Sequence, residues 1–316
     1  MIFLLIHRFL SNSTFLGALL GVSGVICIAT GVVLAISSEL GPCATAFWRF
    51  LLGGAACGGL TLGILGNRAW SQFCTLATRP EIWIAGLSFG VAIAFWYAGM
   101  QRSAVATTST FHNLSPLVLV MGGWFFIGRR VSPQILIGLL VAISGAAWLA
   151  VQGSDLTGQT LVGDLLAFAS AGFMAAFYLC LTRLSANAHP WAVMTIISMI
   201  SAVALLTIAV ASGETLMPLT TSGWAIVVAL GFSGQVLGQS LLAWASKRLG
   251  AIGISAITLT EPAFSTVFAA AIVAMPFHVP HLFGMALTAV GLFVTLNPGR
   301  QRATPLRDTM RPSTAL

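Results

Sequence analysis

Residues 109–116 read Ser-Thr-Phe-His-Asn-Leu-Ser-Pro, and residues 255–262 read Ser-Ala-Ile-Thr-Leu-Thr-Glu-Pro. The two stretches lie 146 positions apart, and the same offset joins Gly138 to Gly284 and Gly145 to Gly291. It also joins Leu136 to Leu282, Arg102 to Arg248 and Gly17 to Gly163. Gly and Leu are abundant, so a single match means little. A mid-segment proline followed twice by glycines at equal spacing points to two related halves. Each proline sits in an apolar run, where it removes one backbone hydrogen bond and loosens a helix. Related membrane halves with interrupted segments at matching places are the pattern of a secondary transporter, with substrate held between the halves near the bilayer midplane.

The composition requires a bilayer. Hydrophobic residues make up 58% of the chain and charged residues 7%, against roughly a quarter charged in soluble domains. The net charge of +7 does not imply nucleic acid, because the basic residues lie in short gaps between apolar runs rather than in one patch. The five cysteines (Cys27, Cys43, Cys57, Cys74 and Cys180) show no CxxC spacing and lie mostly in apolar runs. They imply neither a disulfide framework nor a metal site. The start places Ile2–Ile6 before His7 and Arg8, the wrong order for a cleavable signal.

A helix needs about 20 apolar residues to cross the hydrocarbon core. Ten such spans are predicted: Phe15–Ser37, Ala44–Leu65, Ile82–Met100, Val105–Ile127, Pro133–Val151, Leu161–Thr182, Trp191–Ala211, Trp224–Ala243, Ala251–Ala274 and Leu282–Leu296. The fold class expected is all-α integral membrane, with repeats over 15–151 and 161–296, an N-terminal segment 1–14 and a basic tail 299–316. The gaps are short, the longest being Gly66–Glu81, so no soluble domain is inserted. With the N-terminus inside, the inner gaps collect twelve Lys and Arg, from Arg8 to Arg311; the outer gaps hold only Arg102, with Arg49 just inside span two. Outer gaps instead carry Glu39, Asp155 and Glu214. This asymmetry predicts a cell (inner) membrane protein with both termini cytoplasmic. Five spans per half is an odd number, so the second half enters from the opposite side. The halves are then inverted repeats, which suits alternating access around a central site.

Three stretches resemble the drug/metabolite transporter superfamily in its EamA-type branch. Pro42-Cys-Ala-Thr-Ala-Phe-Trp-Arg-Phe50 is similar to the family's Pro and Arg-Phe at the start of span two. Tyr97–Trp148 resembles the family block of an aromatic, small residues, a mid-span Pro and Gly-x6-Gly, and Trp244–Val294 repeats it with Glu261-Pro262. Family members often carry Gly-Glu after spans four and nine, where this chain reads Gly128-Arg129-Arg130 and Ala274-Met275-Pro276. The role of that Glu does not carry over. The resemblance implies a ten-helix permease for small metabolites, often an exporter, with no cofactor.

Several polar groups are candidates for the transport path. Ionisable residues inside a span are costly and often functional. Glu261 lies near mid-span beside Pro262; it suits a cationic group or a proton, or else an internal ion pair. Arg49 suits a substrate carboxylate through its fork, or else ties helices. His112 and Asn113 precede Pro116 by about a turn. The imidazole titrates near neutral pH when unperturbed and so can relay protons, or it simply bonds a neighbouring helix. Gln235 and Gln239 are four apart and share a helix face; they read a polar substrate or join helices. Phe95, Trp96 and Tyr178 are deep enough for an aromatic wall. Pro116 and Pro262 are the candidate gating breaks, and His112, Asn113 and Glu261 are expected to face one water-filled space.

No Walker sequence, G-x-S-x-G or H-E-x-x-H occurs, so energy comes from a substrate gradient or from protons. The reading is a non-ATP transporter exporting an amino-acid-like or related polar metabolite, partnered by its small-molecule substrate, protons and membrane lipid. An importer of a vitamin or nucleotide-like metabolite is the alternative. An integral membrane enzyme acting on a lipid-linked substrate is a third possibility. It lacks a carboxylate pair on one helix.

Overall fold

The computed structural model describes residues 13–35, 37–103, 105–128, 131–152, 160–272 and 278–296. The N-terminal segment up to residue 12, Arg129, Arg130, Asp155, Ala274-Met275-Pro276 and the 299–316 tail lie outside the described residues. The described residues form helices and connections, without strands. In chain order the helices are α1 (Ser13–Ala35), α2 (Pro42–Leu65), α3 (Asn67–Ala77), α4 (Pro80–Met100), α5 (Val105–His112), α6 (Ser115–Ile127) and α7 (Pro133–Gln152). Then come α8 (Leu161–Asn187), α9 (Pro190–Ala211), α10 (Thr221–Leu230), a π-helical stretch Gly231–Gln239, α11 (Ser240–Thr258), α12 (Glu261–Ile272) and α13 (Val279–Leu296).

Among the described residues, eight helical runs are long and apolar enough to cross a membrane, not the ten expected. Two causes account for the difference. Expected span four is two short helices, α5 and α6, parted at Asn113 and Leu114. The eighth span and the first part of the ninth merge into one 38-residue run, Thr221–Thr258, and the rest of the ninth is the short helix α12. At 1.5 Å per residue that run would be roughly 57 Å long, nearly twice the hydrocarbon core. It does not run straight: Gly250, at φ 69° and ψ 179°, interrupts it. Only glycine adopts that backbone without strain.

The prolines act as start signals rather than mid-helix kinks. Pro116 is the second residue of α6 and Pro262 the second of α12. There the missing N–H is one the helix would not have paired. The preceding helices end at His112 and Thr258, and α6 and α12 begin at Ser115 and Glu261. Both pairs are 146 apart, so the two breaks coincide under the sequence offset.

Close packing depends on small residues, as it must where lipid offers no hydrophobic drive between helices. α7 and α13 meet along their lengths, with Gly138 against Gly291 and Thr295, and Gly145 against Gly284 and Thr288. These are the four glycines that the sequence offset relates, but the contacts are crossed: the offset joins Gly138 to Gly284 and Gly145 to Gly291. Gly24 of α1 packs on Gly238 and Leu241, and Gly86 of α4 on Ile200 of α9. Phe50, Phe89 and Phe177 fill the centre; Phe89 stacks on Phe177 at 4.1 Å and meets Phe50 edge-on at 4.8 Å.

At the end of the bundle bearing Gln101, two carboxylates reach across it. Glu214 accepts from the Cys43 N–H at 3.3 Å and the Ala44 N–H at 2.7 Å, in the first turn of α2. Glu39 accepts from the Leu219 and Thr220 N–H groups at 2.8 and 3.1 Å, where α10 starts. The Trp48 indole adds a bond to the Leu216 carbonyl at 2.6 Å.

The gap Gly66–Glu81 holds a helix that the span pattern does not predict. α3 buries Ala69 and Leu76 and packs Phe73 on the core, while Trp70 is 71% exposed. Gly66, at φ 54°, turns the chain out of α2 into it.

Candidate functional site

Two cavities meet at one carboxylate. The first, about 420 Å³, runs inward from Met100 and Gln101 between α1, α2, α4 and α8, and is lined at depth by Arg49, Gln239, Thr258 and Glu261. The second, about 510 Å³, is lined by His112, Asn113, Pro262 and Ser265, with His278 and His281 of the α13 start. Glu261 and Trp96 line both. The α11–α12 break puts Glu261 there: as the first residue of α12 it sits at the interruption rather than within a continuous helical wall.

The first cavity holds polar groups whose bonding capacity is unused. Arg49 makes one long contact, Nη2 to the Gln235 amide oxygen at 3.5 Å, and its buried Nε has no hydrogen-bond partner. Gln235 is fully buried and its amide nitrogen donates to Ser198 Oγ at 2.8 Å. The Gln239 amide oxygen and the Trp96 indole nitrogen are buried without partners. Among the described residues, no hydrogen bond or ion pair reaches the Glu261 carboxylate. Buried polar atoms are normally paired, and orphans of this kind call for an explanation. Here they share one cavity, which makes a bound ligand the simplest one. Phe89, Trp96, Tyr97 and Tyr178 supply aromatic surface beside them.

Both helix breaks lean on α8. His112 Nδ1 lies 2.7 Å from Ser170 Oγ, whose own proton goes to the Ala167 carbonyl at 2.6 Å. With that proton committed, Nδ1–H is the donor, and in the neutral ring Nε2 is left as an acceptor. The imidazole also stacks on Trp96 at 4.8 Å. At the matching place, Thr258 Oγ1 receives a long bond from Tyr178 Oη at 3.4 Å. One helix thus holds the last residue of both interrupted segments, two turns apart on its own axis.

The structure places the sequence candidates as follows. Arg49, Gln239, Trp96, Tyr178 and Glu261 line the first cavity; His112, Asn113, Pro262, Trp96 and Glu261 line the second. Gln235 stands behind Arg49. Pro116 is buried at the start of α6 and lines neither. Phe95 packs edge-on against Phe173 at 5.5 Å, outside both cavities, whereas Tyr97 lines the first. Successive helical residues point about 100° apart, so depth along the helix did not decide which aromatic faces inward. Thr258 was also missed; its position 146 after His112 was the available signal. A third cavity of about 490 Å³ opens at the opposite end beside Arg183 and Arg248 and shares no lining residue with the other two. Among the described residues, no cluster of three or more His, Cys, Asp or Glu could hold a metal ion.

Comparison with known proteins agrees with this architecture. The model of the EamA-like transporter family matches residues 15–151 and 161–297. The uncharacterized transporter YetK of Bacillus subtilis (strain 168) is 25% identical over 209 residues, 64% of this chain and 63% of that protein. The aligned region thus spans somewhat under two thirds of that relative's length. A solved crystal structure superposes on 88% of this chain and 96% of its own with a TM-score of 0.74 at 19% identity, a likeness of fold alone.

Proposed function

The chain belongs to the EamA-like transporter family, a family of membrane transporters built on two repeats, and from that premise we propose that it exports small amino-acid-like metabolites without ATP. The observation that carries the reading is the first cavity: an underused guanidinium and an unpaired carboxylate facing one aromatic-walled space. A zwitterion fits that arrangement. Arg49 takes the substrate carboxylate, with Trp96 Nε1–H as a second donor. Glu261 takes the ammonium, with the Gln239 amide oxygen as a second acceptor. The aromatic walls hold an apolar side chain. A volume near 420 Å³ lies in the range of small-ligand sites.

The transport cycle follows from the breaks. The polypeptide crosses the inner membrane ten times as two inverted five-helix repeats, 15–151 and 161–296, with both termini cytoplasmic. Span four is the α5–α6 pair, and span nine is the part of α11 after Gly250 together with α12, each parted at the matching place. The first and second cavities lie toward the Gln101 end, which the Lys/Arg asymmetry puts outside. The Arg183 end offers a separate vestibule. Alternating access then rocks one repeat against the other around Glu261, and α8, holding both breaks, links their movements. Proton binding at Glu261, reached through the second cavity, couples the cycle to the proton gradient.

Proteoliposomes test this with a radiolabelled panel: α-amino acids, the matching amines without carboxylate, and the matching acids without ammonium. Charge-assisted hydrogen bonds contribute about 1.5–3 kcal/mol, or roughly 10- to 150-fold. Arg49→Gln should weaken transport of carboxylate-bearing compounds by that factor and spare the amines. Glu261→Gln should do the reverse and flatten the pH dependence of flux. Equal loss across the whole panel by both correctly inserted variants would refute the zwitterion assignment.

A further inference from the structure

α3 forms one wall of a cavity outside the transport path. Arg68, Ser71, Gln72 and Thr75 recur at helical spacing on one face of α3 and, with Arg79 and Asn187, line a space of about 360 Å³. Among the described residues, neither guanidinium has a carboxylate within ion-pair distance. The Gln72 side-chain oxygen is buried without a partner. Lys247 brings a third cation to the rim by donating to the Ala188 carbonyl at 3.1 Å. Beside the cavity, Trp70 and Trp83 are 71% and 51% exposed, and the Trp83 indole donates to the Ala77 carbonyl at the end of α3 at 2.9 Å. Exposed indoles of this kind mark the level where apolar body meets polar headgroups.

We propose that this cavity binds the phosphate group of an anionic glycerophospholipid. The guanidinium fork matches phosphate oxygens in pairs. The Ser71 hydroxyl is a further donor, and the orphaned Gln72 oxygen accepts from a headgroup hydroxyl. Basic pockets at a membrane face are suited to anionic headgroups. The exposed indoles favour a lipid over a free phosphate, because they set α3 at headgroup depth, where lipid phosphate is concentrated. Bound there, the lipid fixes α3 against the α8–α9 turn.

Native mass spectrometry of the full chain released from detergent tests the assignment, with phosphatidylglycerol titrated against phosphatidylcholine. A basic residue near anionic lipid contributes roughly 5-fold in affinity, so Arg68→Gln with Arg79→Gln should cut the phosphatidylglycerol preference about 25-fold. The double Lys variant should keep most of it. Arg183→Gln with Arg248→Gln, at the same end but outside this cavity, should leave it unchanged. If the double Gln variant is not recovered, either single variant should show about 5-fold. An undiminished preference in the Gln variants overturns the site. Glycerol 3-phosphate bound as tightly as phosphatidylglycerol, with the same Arg dependence, overturns the lipid as its source. None of these outcomes depends on which metabolite is transported.

Discussion

Gly145→Ala is the sharpest probe of how the halves hold together. A Cβ at Gly145 would lie 2.5 Å from the Thr288 N and Oγ1 atoms and 2.7 Å from the Gly284 carbonyl oxygen. Two of those three atoms are backbone and cannot rotate away. Ordinary carbon contacts begin near 3.4 Å, so α13 must retreat by roughly 1 Å. A gap of that size forfeits a quarter to a half of each dispersion contact along the seam, and overpacking of this kind costs about 1–3 kcal/mol. Ala itself gains about 0.5–1 kcal/mol over Gly inside a helix. The net expectation is a loss of about 0.5–2 kcal/mol, or a Tm lower by about 1–5 °C in detergent. Gly59 supplies the control, because nothing lies within 4 Å of its Cβ position; Gly59→Ala should raise Tm slightly. Gly291→Ala meets the Ala142 and Gly138 backbones and should destabilise like Gly145→Ala. The double variant should cost less than the sum, because the first retreat makes room for the second side chain. Thermal unfolding followed by tryptophan fluorescence reads all four variants. The reasoning fails if Gly145→Ala melts at or above wild type while Gly59→Ala does not rise.

Three further outcomes are expected. In a background without the five native cysteines, Cys placed in turn at 112, 113 and 261 should react with a charged thiol reagent and be protected by substrate; one freely reactive site beside two inaccessible ones would exclude a shared space. Glu214→Ala removes the partner of two N–H groups in the first turn of α2, and Tm should fall as expected for loss of about 0.5–2 kcal/mol of capping. A C-terminal reporter active only outside the cytoplasm should stay silent, and activity there would reverse the proposed orientation.

The 146-residue offset made much of the architecture legible. It marked the prolines that follow both helix breaks and picked out the four glycines of the α7–α13 contact, though not which of them face each other: the offset joins Gly138 to Gly284, and the contact sets Gly138 on Gly291. It did so because each requirement, a lost N–H or a missing side chain, falls on one residue type. Glu261, His112 and Asn113 were legible for a related reason: polar groups in an apolar run must face one another, a ligand or water. The rest depended on rotation and distance. Phe95 and Tyr97 differ by two positions and face different surroundings. That Gln235 stands behind Arg49 was invisible, because 186 residues separate them. α3 escaped the span count because its 11 residues, Asn67–Ala77, are too few and too polar to cross a bilayer. The π-helical stretch Gly231–Gln239 had no signal in a pattern read at 3.6 residues per turn.

The crossed carboxylates at the Gln101 end also bear on biogenesis. The Ala44 N–H finds its acceptor on Glu214, 170 residues later in the chain. At about 5–20 residues per second, a ribosome needs roughly 10–30 s to supply it. Through that interval α2 is inserted with the start of its first turn unsatisfied, held by its apolar length and by water at the surface. The reciprocal bond from Glu39 waits for Leu219 and Thr220, so both ties close within a few residues of synthesis. The first repeat therefore leaves the translocon as an open assembly whose last surface contacts are supplied by the second. Expressed alone, it should be a substrate for membrane quality control rather than a stable half.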